Sequence, residues 1–347
     1  MLIIGCDFHS RFQQIAVLDT ETGAVEERRL EHERGEAQEF YAGLQEPALV
    51  GMESMGYTQW FEELLAECGH ELVVGDAAKI RAMEPRKQKH DRRDAEHLLH
   101  LLVKGDFPRL WLPSAAERDA RVWLEHRHQL VQMRTRTLNG LQAMALNHGL
   151  CLRQKLWTKR GQEELKKLPL REGRARRRAD LLALRAQLEG WIAELDQRIA
   201  QEVAHRPEAQ RLLTHPGVGP LTALGTVLIL GPVERFPDAK HVTSYVGLIP
   251  QEESSGGRQR FGHLTKQGNG LLRFLLVEAA QIATRYDAGL GRVYRRLTFR
   301  KGRASAKVAV ARKLAIRLYI MLRDQIDYEE FCRRGSHAGM LGEVALA

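Results

Sequence analysis

Short apolar runs separated by turn signals fill the first hundred residues. Runs at 2–6 and 14–18 predict two strands, and a turn at 21–23, where Gly23 supplies the turn conformation, leads into a third, mostly polar strand. The pattern then predicts a helix at 36–44, a buried strand at 48–52, a helix at 60–68 and a strand at 71–74. From 91 to 103 the apolar spacing is helical. Strands and helices therefore alternate after an initial three-strand meander.

This order of elements is typical of one fold class. Three strands followed by alternating helices and strands predict an α/β domain of the RNase H-like (RuvC-like) type. Pro108 and Pro113 interrupt the pattern just after the last of these helices. We therefore expect a first domain over residues 1–113.

The middle of the chain carries two long helical patterns. Ser114 is placed to cap a helix that continues to about residue 147, and apolar residues recur at three- and four-residue steps from 181 to 203. Together they predict a helical, coiled-coil-like connector over 114–210, joined by the segment 151–180, and favour oligomerisation through it. A mainly α-helical C-terminal domain is expected over 211–347, with a Gly-rich loop at 254–270.

Charge is unevenly distributed over a chain whose formal net charge is +9. Residues 1–50 carry 10 acids against 4 Arg, residues 151–180 carry 11 Lys/Arg against 4 acids, and residues 285–317 carry 11 against 1. A solvent-facing basic surface accounts for one such run. Two dense runs opposite an acidic N-terminal region favour a polyanionic partner, namely nucleic acid.

Composition argues against two other classes of protein. No stretch approaches the roughly 20 apolar residues that a membrane span needs, and the first ten residues lack the basic lead-in of a signal peptide. The four cysteines, Cys6, Cys68, Cys151 and Cys332, have no paired metal-ligand spacing, which argues against a zinc site and fits a reducing compartment. We expect a cytoplasmic protein without membrane partners.

Four carboxylates form the first candidate site. Asp7 lies at the end of the first strand, Glu53 follows the strand at 48–52, and Asp91 and Asp94 are three residues apart on one helix face. In an RNase H-like sheet these positions converge, and close carboxylates need cations, so the set predicts Mg²⁺ or Mn²⁺. For Asp91 and Asp94 taken as a pair, a solvent-exposed ion-pair face remains open as an alternative.

Two adjacent serines form the second candidate site. Ser254 and Ser255 precede two glycines in a segment that is otherwise rich in cations, which are Arg258, Arg260, Lys266 and Arg273. A flexible turn would explain the glycines and serines by themselves. The cations could instead stabilise the transition state of attack by a serine hydroxyl on a phosphate.

A third feature lies at residues 215–223. The sequence has the form of a helix-hairpin-helix turn, in which Gly217 and Gly219 permit a tight reversal. Backbone N–H groups of such a turn can face a phosphate, so these glycines are candidate nucleic-acid contacts.

At these motifs the chain resembles insertion-sequence transposases of the "one-ten" family, also described as bridge-RNA-guided recombinases. The resemblance covers nearly the whole chain. It rests on the segments 5–7, 53–56, 90–95 and, most specifically, 247–273. His90 and Met55 stand where threonine is common in the family, and neither departure changes a carboxylate or the serine.

The resemblance implies a mechanism and partners. By position, Ser255 matches the family's nucleophile, which forms a phosphoserine link to DNA beside Mg²⁺ held by the four carboxylates. Family members work as dimers that pair into tetramers on double-stranded donor and target DNA, and a structured guide RNA from the element pairs with both. A nucleoid-associated enzyme in the cytoplasm is therefore expected, and its dispersed Lys and Arg suit backbone contacts.

Three other functions remain open at the level of the sequence. A metal-dependent nuclease that resolves DNA junctions would use the carboxylates with water as nucleophile, leaving Ser255 without a role. A site-specific DNA invertase would share the whole motif set. A non-catalytic architectural protein would use only the helix-hairpin-helix turn.

Overall fold

The computed structural model describes residues 1–84, 90–152, 155–252 and 260–334. The chain divides into two compact units, Met1–Leu112 and Pro113–Ala347. The proposed subdivision of the second part into a connector and a C-terminal domain stays a prediction.

The first unit is a mixed α/β structure, as predicted. Its elements in chain order are β1 (Leu2–Phe8), β2 (Phe12–Asp19), β3 (Val25–Glu31), α1 (Glu36–Ala42), β4 (Ala48–Glu53), α2 (Gln59–Glu67), β5 (Glu71–Gly75), α3 (Ala77–Met83) and α4 (Asp91–Lys104). The sheet order is β3-β2-β1-β4-β5. The first three strands form an antiparallel meander, while β4 runs parallel to both β1 and β5. Helix α3 was not predicted from the apolar pattern.

The two faces of the central strands pack against different helices. Ile4 and Cys6 on β1, with Val50 and Met52 on β4, belong to a core that includes residues of α1 and α2. The alternate residues face the other way, because successive side chains of a strand point to opposite sides. On that second face Ile3 and Leu49 pack with Leu98, Leu101 and Leu102 of α4.

Two glycines let α4 lie close to the sheet. A Cβ atom added to Gly5 would lie 2.2 Å from the carbonyl oxygen of Ala95 and 2.4 Å from the backbone nitrogen of Leu99. One added to Gly51 would lie 2.6 Å from a methyl group of Leu102. The backbone of α4 therefore rests directly on β1 at Gly5, and the Leu102 side chain packs against β4 at Gly51.

The second unit is mainly helical. Its helices are α5 (Ala115–Asn147), α6 (Lys159–Lys167), α7 (Glu172–Ala204), α8 (Pro207–Leu213), α9 (Pro220–Leu230), α10 (Ala239–Tyr245), α11 (Gly270–Tyr286), α12 (Ala288–Arg323) and α13 (Tyr328–Arg334). Helix α12 is kinked at Gly302, where φ is +80° and ψ 165°.

The two long helices α5 and α7 run antiparallel. Ser114 caps α5 as predicted, in a capping box with Glu117. Arg127 binds Asp196 at 2.9 Å, whereas Gly140, further along α5, lies beside Leu181, which is earlier on α7. Helix α7 begins nine residues before the apolar periodicity that predicted it, because its first turns are polar and exposed.

The predicted Gly-rich loop at 254–270 is partly a strand. Strands β6 (Pro250–Glu252) and β7 (Phe261–Leu264) pair antiparallel on either side of residues 253–259. A three- to four-residue strand carries too little periodicity to separate it from a loop. In the described parts of both units, no helix is long and apolar enough to cross a membrane.

Candidate active site

Strand register places two predicted carboxylates on the face that α4 covers. Cys6 of β1 pairs with Met52 of β4, so Asp7 and Glu53 are the next residues along two parallel neighbours. Each lies two positions beyond a glycine that contacts α4. Asp7 lies inside β1 and Glu53 is the last residue of β4, slightly deeper in the sheet than the sequence suggested.

The N-terminus of α4 brings the other two carboxylates to the same end of the sheet. His90 caps the helix by accepting a hydrogen bond from the N–H of Arg92, and Asp91 and Asp94 occupy its first turn. Among the described residues, Arg92 of this turn approaches Glu27 at 3.7 Å, and neither aspartate pairs with a Lys or Arg. The alternative of an ion-pair face stays untested, because Lys89 lies outside the described residues.

A histidine joins this cluster. His9 Nε2 lies 3.0 Å from Asp7 Oδ2 and 3.8 Å from Asp91 Oδ2. One ligand atom each from Asp7, His9 and Asp91 lies within 4.8 Å of the others, a spacing at which one metal ion could bind all three. Sequence reasoning missed His9, although its two-residue separation from Asp7 on an extended segment was a usable signal.

The surroundings of Asp7 disfavour the charged form of its carboxyl group. Burial raises the pKa of its carboxyl group above the ordinary value, although the charge and hydrogen bond of His9 oppose that rise. Asp94 and Asp91 raise the pKa further through like-charge repulsion. A cation at this position would relieve both the burial cost and the repulsion.

The cluster is open on one side. A cavity of about 410 Å³ borders it, with His9 in its wall, and is lined by Phe8, His9, Ser10, Arg11, Phe12, Met55 and Tyr57. Tyr57 is exposed, and the ring of Phe12 lies between His9 and the guanidinium of Arg29. The cavity lining includes none of the four carboxylates, but Asp7 and Asp91 are 17% and 43% exposed and so remain accessible to solvent.

The predicted serine site lies largely outside the described residues. Ser254, Ser255 and Arg258 fall in the segment 253–259, for which no placement is described. Of the flanking cations, Arg260 is exposed, and Lys266 has a positive φ of 53°.

Arg273 already has partners within the fold. Its guanidinium donates hydrogen bonds to the carbonyl oxygens of Val246 at 2.9 Å and Gln267 at 2.5 Å. It thereby ties the start of α11 to the chain that leads into and out of the β6–β7 hairpin. The sequence predicted that Arg273 contacts nucleic acid. In the structure its guanidinium binds backbone carbonyl oxygens of the protein.

The predicted helix-hairpin-helix turn lies between α8 and α9. Gly217 adopts φ +88° and packs so closely on α11 that an added Cβ would lie 2.5 Å from the backbone nitrogen of Ala283. Gly219 is the N-cap residue of α9. Gly217 is therefore required both by its positive φ and by the short distance to the backbone of α11.

Behind this turn lies a polar cluster that the sequence did not reveal. Asp287, 5% exposed, accepts hydrogen bonds from the Leu290 N–H, Arg317 and Tyr328, each at 2.5 Å. Burial by itself would raise the pKa of Asp287, but these bonds together lower it. His215 packs edge-on against Tyr328, and burial lowers the pKa of its imidazole to about 4. No motif links these residues, which lie up to 113 positions apart.

Comparison with known proteins places both units in one family. Residues 4–148 match the model of DEDD transposases of the IS110 type, and residues 209–295 match the model "Transposase IS116/IS110/IS902 family". Together the matches cover about two thirds of the chain.

Individual relatives are distant but extend over much of the chain. A Pseudomonas aeruginosa protein named "Probable family 20 transposase" is 27% identical over 94% of this chain and 98% of its own length. The transposase for insertion sequence element IS1111A of Coxiella burnetii is 26% identical over 70% of this chain and 69% of its own length. The pilin gene-inverting protein of Moraxella lacunata is 26% identical over 57% of this chain and 69% of its own length. The chain belongs to the IS110 family of insertion-sequence transposases.

Proposed function

We propose that this transposase cuts and rejoins DNA with two sets of residues: a divalent metal site formed by Asp7, Glu53, Asp91 and Asp94, and a nucleophile, Ser255. The observation that carries the proposal is the contact of α4 with Gly5 and Gly51. This contact sets the first turn of α4, with both of its aspartates, beside the ends of β1 and β4.

The donor set fits a hard cation such as Mg²⁺ or Mn²⁺. Carboxylate oxygens are the preferred ligands of both ions. The pKa of Asp7 is raised first by burial and then by the like charges of Asp94 and Asp91, and a bound cation would oppose both effects. When bound, the ion would polarise a phosphodiester and stabilise charge on the attacking and leaving oxygens. His9, through its hydrogen bond to Asp7, would orient that carboxylate.

The serine reaction conserves the phosphodiester bond energy. The Ser255 Oγ would form a bond to phosphorus, one strand oxygen would leave with a proton, and the reverse reaction with a second strand would rejoin DNA without ATP. Arg258, Arg260 and Lys266 would neutralise the phosphate during the attack. If water attacked the same phosphate, the strand would be hydrolysed irreversibly and the enzyme would act as a nuclease.

The proposal extends to the wider assembly that the resemblance to the family implies. We propose that the sheet order of the first unit is that of an RNase H-like (RuvC-like) fold, and that α5 and α7 form a connector arm that supports a dimer and then a tetramer. Double-stranded donor and target DNA are the substrates, and a structured RNA of the element selects them by base pairing. Gly217 and Gly219 would let backbone N–H groups approach a phosphate.

The test is recombination between donor and target plasmids in cells that supply the RNA flanking the element. Asp7→Ala and Ser255→Ala should each abolish product, while Ser254→Ala and the exposed control Asp106→Ala retain it. A covalent protein–DNA product should be trapped with wild type and be absent with Ser255→Ala. If Ser255→Ala recombines normally, Ser255 is not the nucleophile; if Asp7→Ala does, the metal site is wrong.

A further inference from the structure

The two basic runs of the second unit differ in how their charges are used. In the run around α6 and α7, Arg160 pairs with Glu164, Arg176 with Asp180, and Arg178 donates to two backbone carbonyls. Helix α12, in contrast, contains no Asp or Glu anywhere between residues 288 and 323. Its cations therefore have no acid on their own helix with which to pair.

The outer face of α12 before the kink is a continuous basic surface. We name it the basic stripe, and it consists of Arg292, Arg295, Arg296 and Arg300. The spacing of three to four residues places all four on one helix face, and all four are exposed. Among the residues that the structure describes, none of the four forms an ion pair.

An aromatic ring lies within this stripe. Phe299 is 94% exposed and is three residues beyond Arg296 and next to Arg300. The opposite face of the same segment is packed: Leu290 is buried, and Val293 lies against the core of the unit. Phe299 is therefore exposed on the outer side of the helix, while the inner side of the same segment packs against the core. An exposed Phe gains none of the free energy that burial of its ring would provide.

We propose that the basic stripe and Phe299 bind unpaired nucleotides, with a base stacked on the Phe299 ring and the flanking phosphates held by arginines. The proposal rests on the nucleic-acid chemistry proposed above and adds a site and a ligand class to it. Bases within a duplex hide their faces, so an exposed ring among cations suits single strands, loops or ends. A membrane-binding helix would expose a broad apolar face, whereas this outer face offers a single large apolar residue.

The test measures equilibrium binding by fluorescence anisotropy, with EDTA present so that strand cleavage is not involved. The probes are a single-stranded DNA, an RNA of the same sequence, and the corresponding DNA duplex. Phe299→Ala should weaken single-strand binding by about 10-fold or more and duplex binding by less than about twofold, while Phe299→Trp retains affinity. Loss confined to RNA or to DNA would identify the source of the unpaired nucleotides.

The arginines are tested by salt dependence against a pair matched in charge. Arg296→Gln with Arg300→Gln should lower the slope of log affinity against log salt by about 1.4 for single strands, at about 0.7 per lost contact. Arg160→Gln with Arg176→Gln removes the same net charge from paired positions and should leave the slope unchanged. Equal losses in both pairs would overturn the proposal.

Two further outcomes would also overturn it. One is equal single-strand and duplex affinity loss in Phe299→Ala, or none in either. The other is a change in molar mass of the Phe299→Ala protein in solution, which would assign the ring to a contact between copies of the chain. Since recombination is not part of these measurements, failure of the serine or metal assignments would not alter their result.

Discussion

Asp7 of the first unit and Asp287 of the second are both sheltered carboxylates, yet their pKa values shift in opposite directions. Asp7 is 17% exposed, and its pKa is raised. Asp287 is only 5% exposed, and its pKa is lowered. The more deeply buried acid is therefore the stronger one.

Burial raises the pKa of both carboxyl groups, and the two sites differ in the partners that oppose this effect. Asp287 has a guanidinium, a phenol and a backbone N–H directed at its two oxygens. Asp7 has His9 on one side and the like charges of Asp91 and Asp94 on the other. Both oxygens of the Asp287 carboxylate have hydrogen-bond partners within the protein, so this group stabilises the fold. Asp7 lies among other acids, and its carboxylate can still bind a ligand.

The largest expected effect is the loss of the Asp287 charge. Asp287→Asn keeps a side chain that can cap α12 but leaves the Arg317 guanidinium without its partner, which should lower the free energy of unfolding by about 3–5 kcal/mol. Asp238→Asn alters another helix cap, one that is half-exposed, and should cost less than about 1 kcal/mol. Urea unfolding followed by circular dichroism measures both. Equal losses would mean that Asp287 acts only as a cap.

The second effect comes from the titration of His215. Its imidazole packs against Tyr328, and the charges of Asp287 and Arg317 act on its pKa. Its pKa is about 4 in the folded protein against 6.5 for an unperturbed imidazole, so between these pH values the proton binds preferentially to the unfolded chain. Its contribution is complete above pH 6.5, and about 3 kcal/mol is lost as the pH falls to 4.

The variant His215→Phe separates this titration from other acid effects. Unfolding free energies measured at several pH values should fall less steeply between pH 6.5 and 4 in His215→Phe than in wild type. The exposed residue His126 provides the control, since His126→Phe changes a surface imidazole and should keep the wild-type slope. An unchanged slope in His215→Phe would contradict the assignment.

The smallest effect, with the opposite sign, is expected at Asp7. Asp7→Asn removes like-charge repulsion and a buried charge while keeping an acceptor for His9, so it should stabilise the metal-free protein by about 1 kcal/mol. Added Mg²⁺ should raise the melting temperature of wild type and have little effect on Asp7→Asn. The exposed control Asp106→Asn should respond like wild type. A less stable Asp7→Asn protein in EDTA would remove the contrast with Asp287.

The parts that were predictable from sequence are those with local periodicity. The strands of the first unit, helix α4 and the Ser114 cap all follow from apolar spacing or cap chemistry within one segment. From that order the convergence of Asp7 and Asp91 also follows. The placement of Ser255 stays a prediction, because it lies outside the described residues.

The remaining features depend on contacts between distant segments. Gly5 reads as an ordinary strand residue until its distance to the Ala95 carbonyl is known. Arg273 looked like a free cation but binds carbonyls 6 and 27 residues away. Asp287, Arg317 and Tyr328 share no motif. Contacts between distant segments determine what these residues do, and the pattern within one segment contains no information about those contacts.

The kink at Gly302 has a mechanical consequence. Beyond it, α12 is fixed in the core through Val310, Leu314 and Leu318, whereas its outer half is exposed along one side. The first half is also anchored, since Leu290 is buried and Asp287 at the helix start binds Arg317 of the second half. With helical geometry interrupted at a glycine, the exposed stretch between these anchors can bend at one residue, so a force on Phe299 changes the angle at Gly302 before it strains the core.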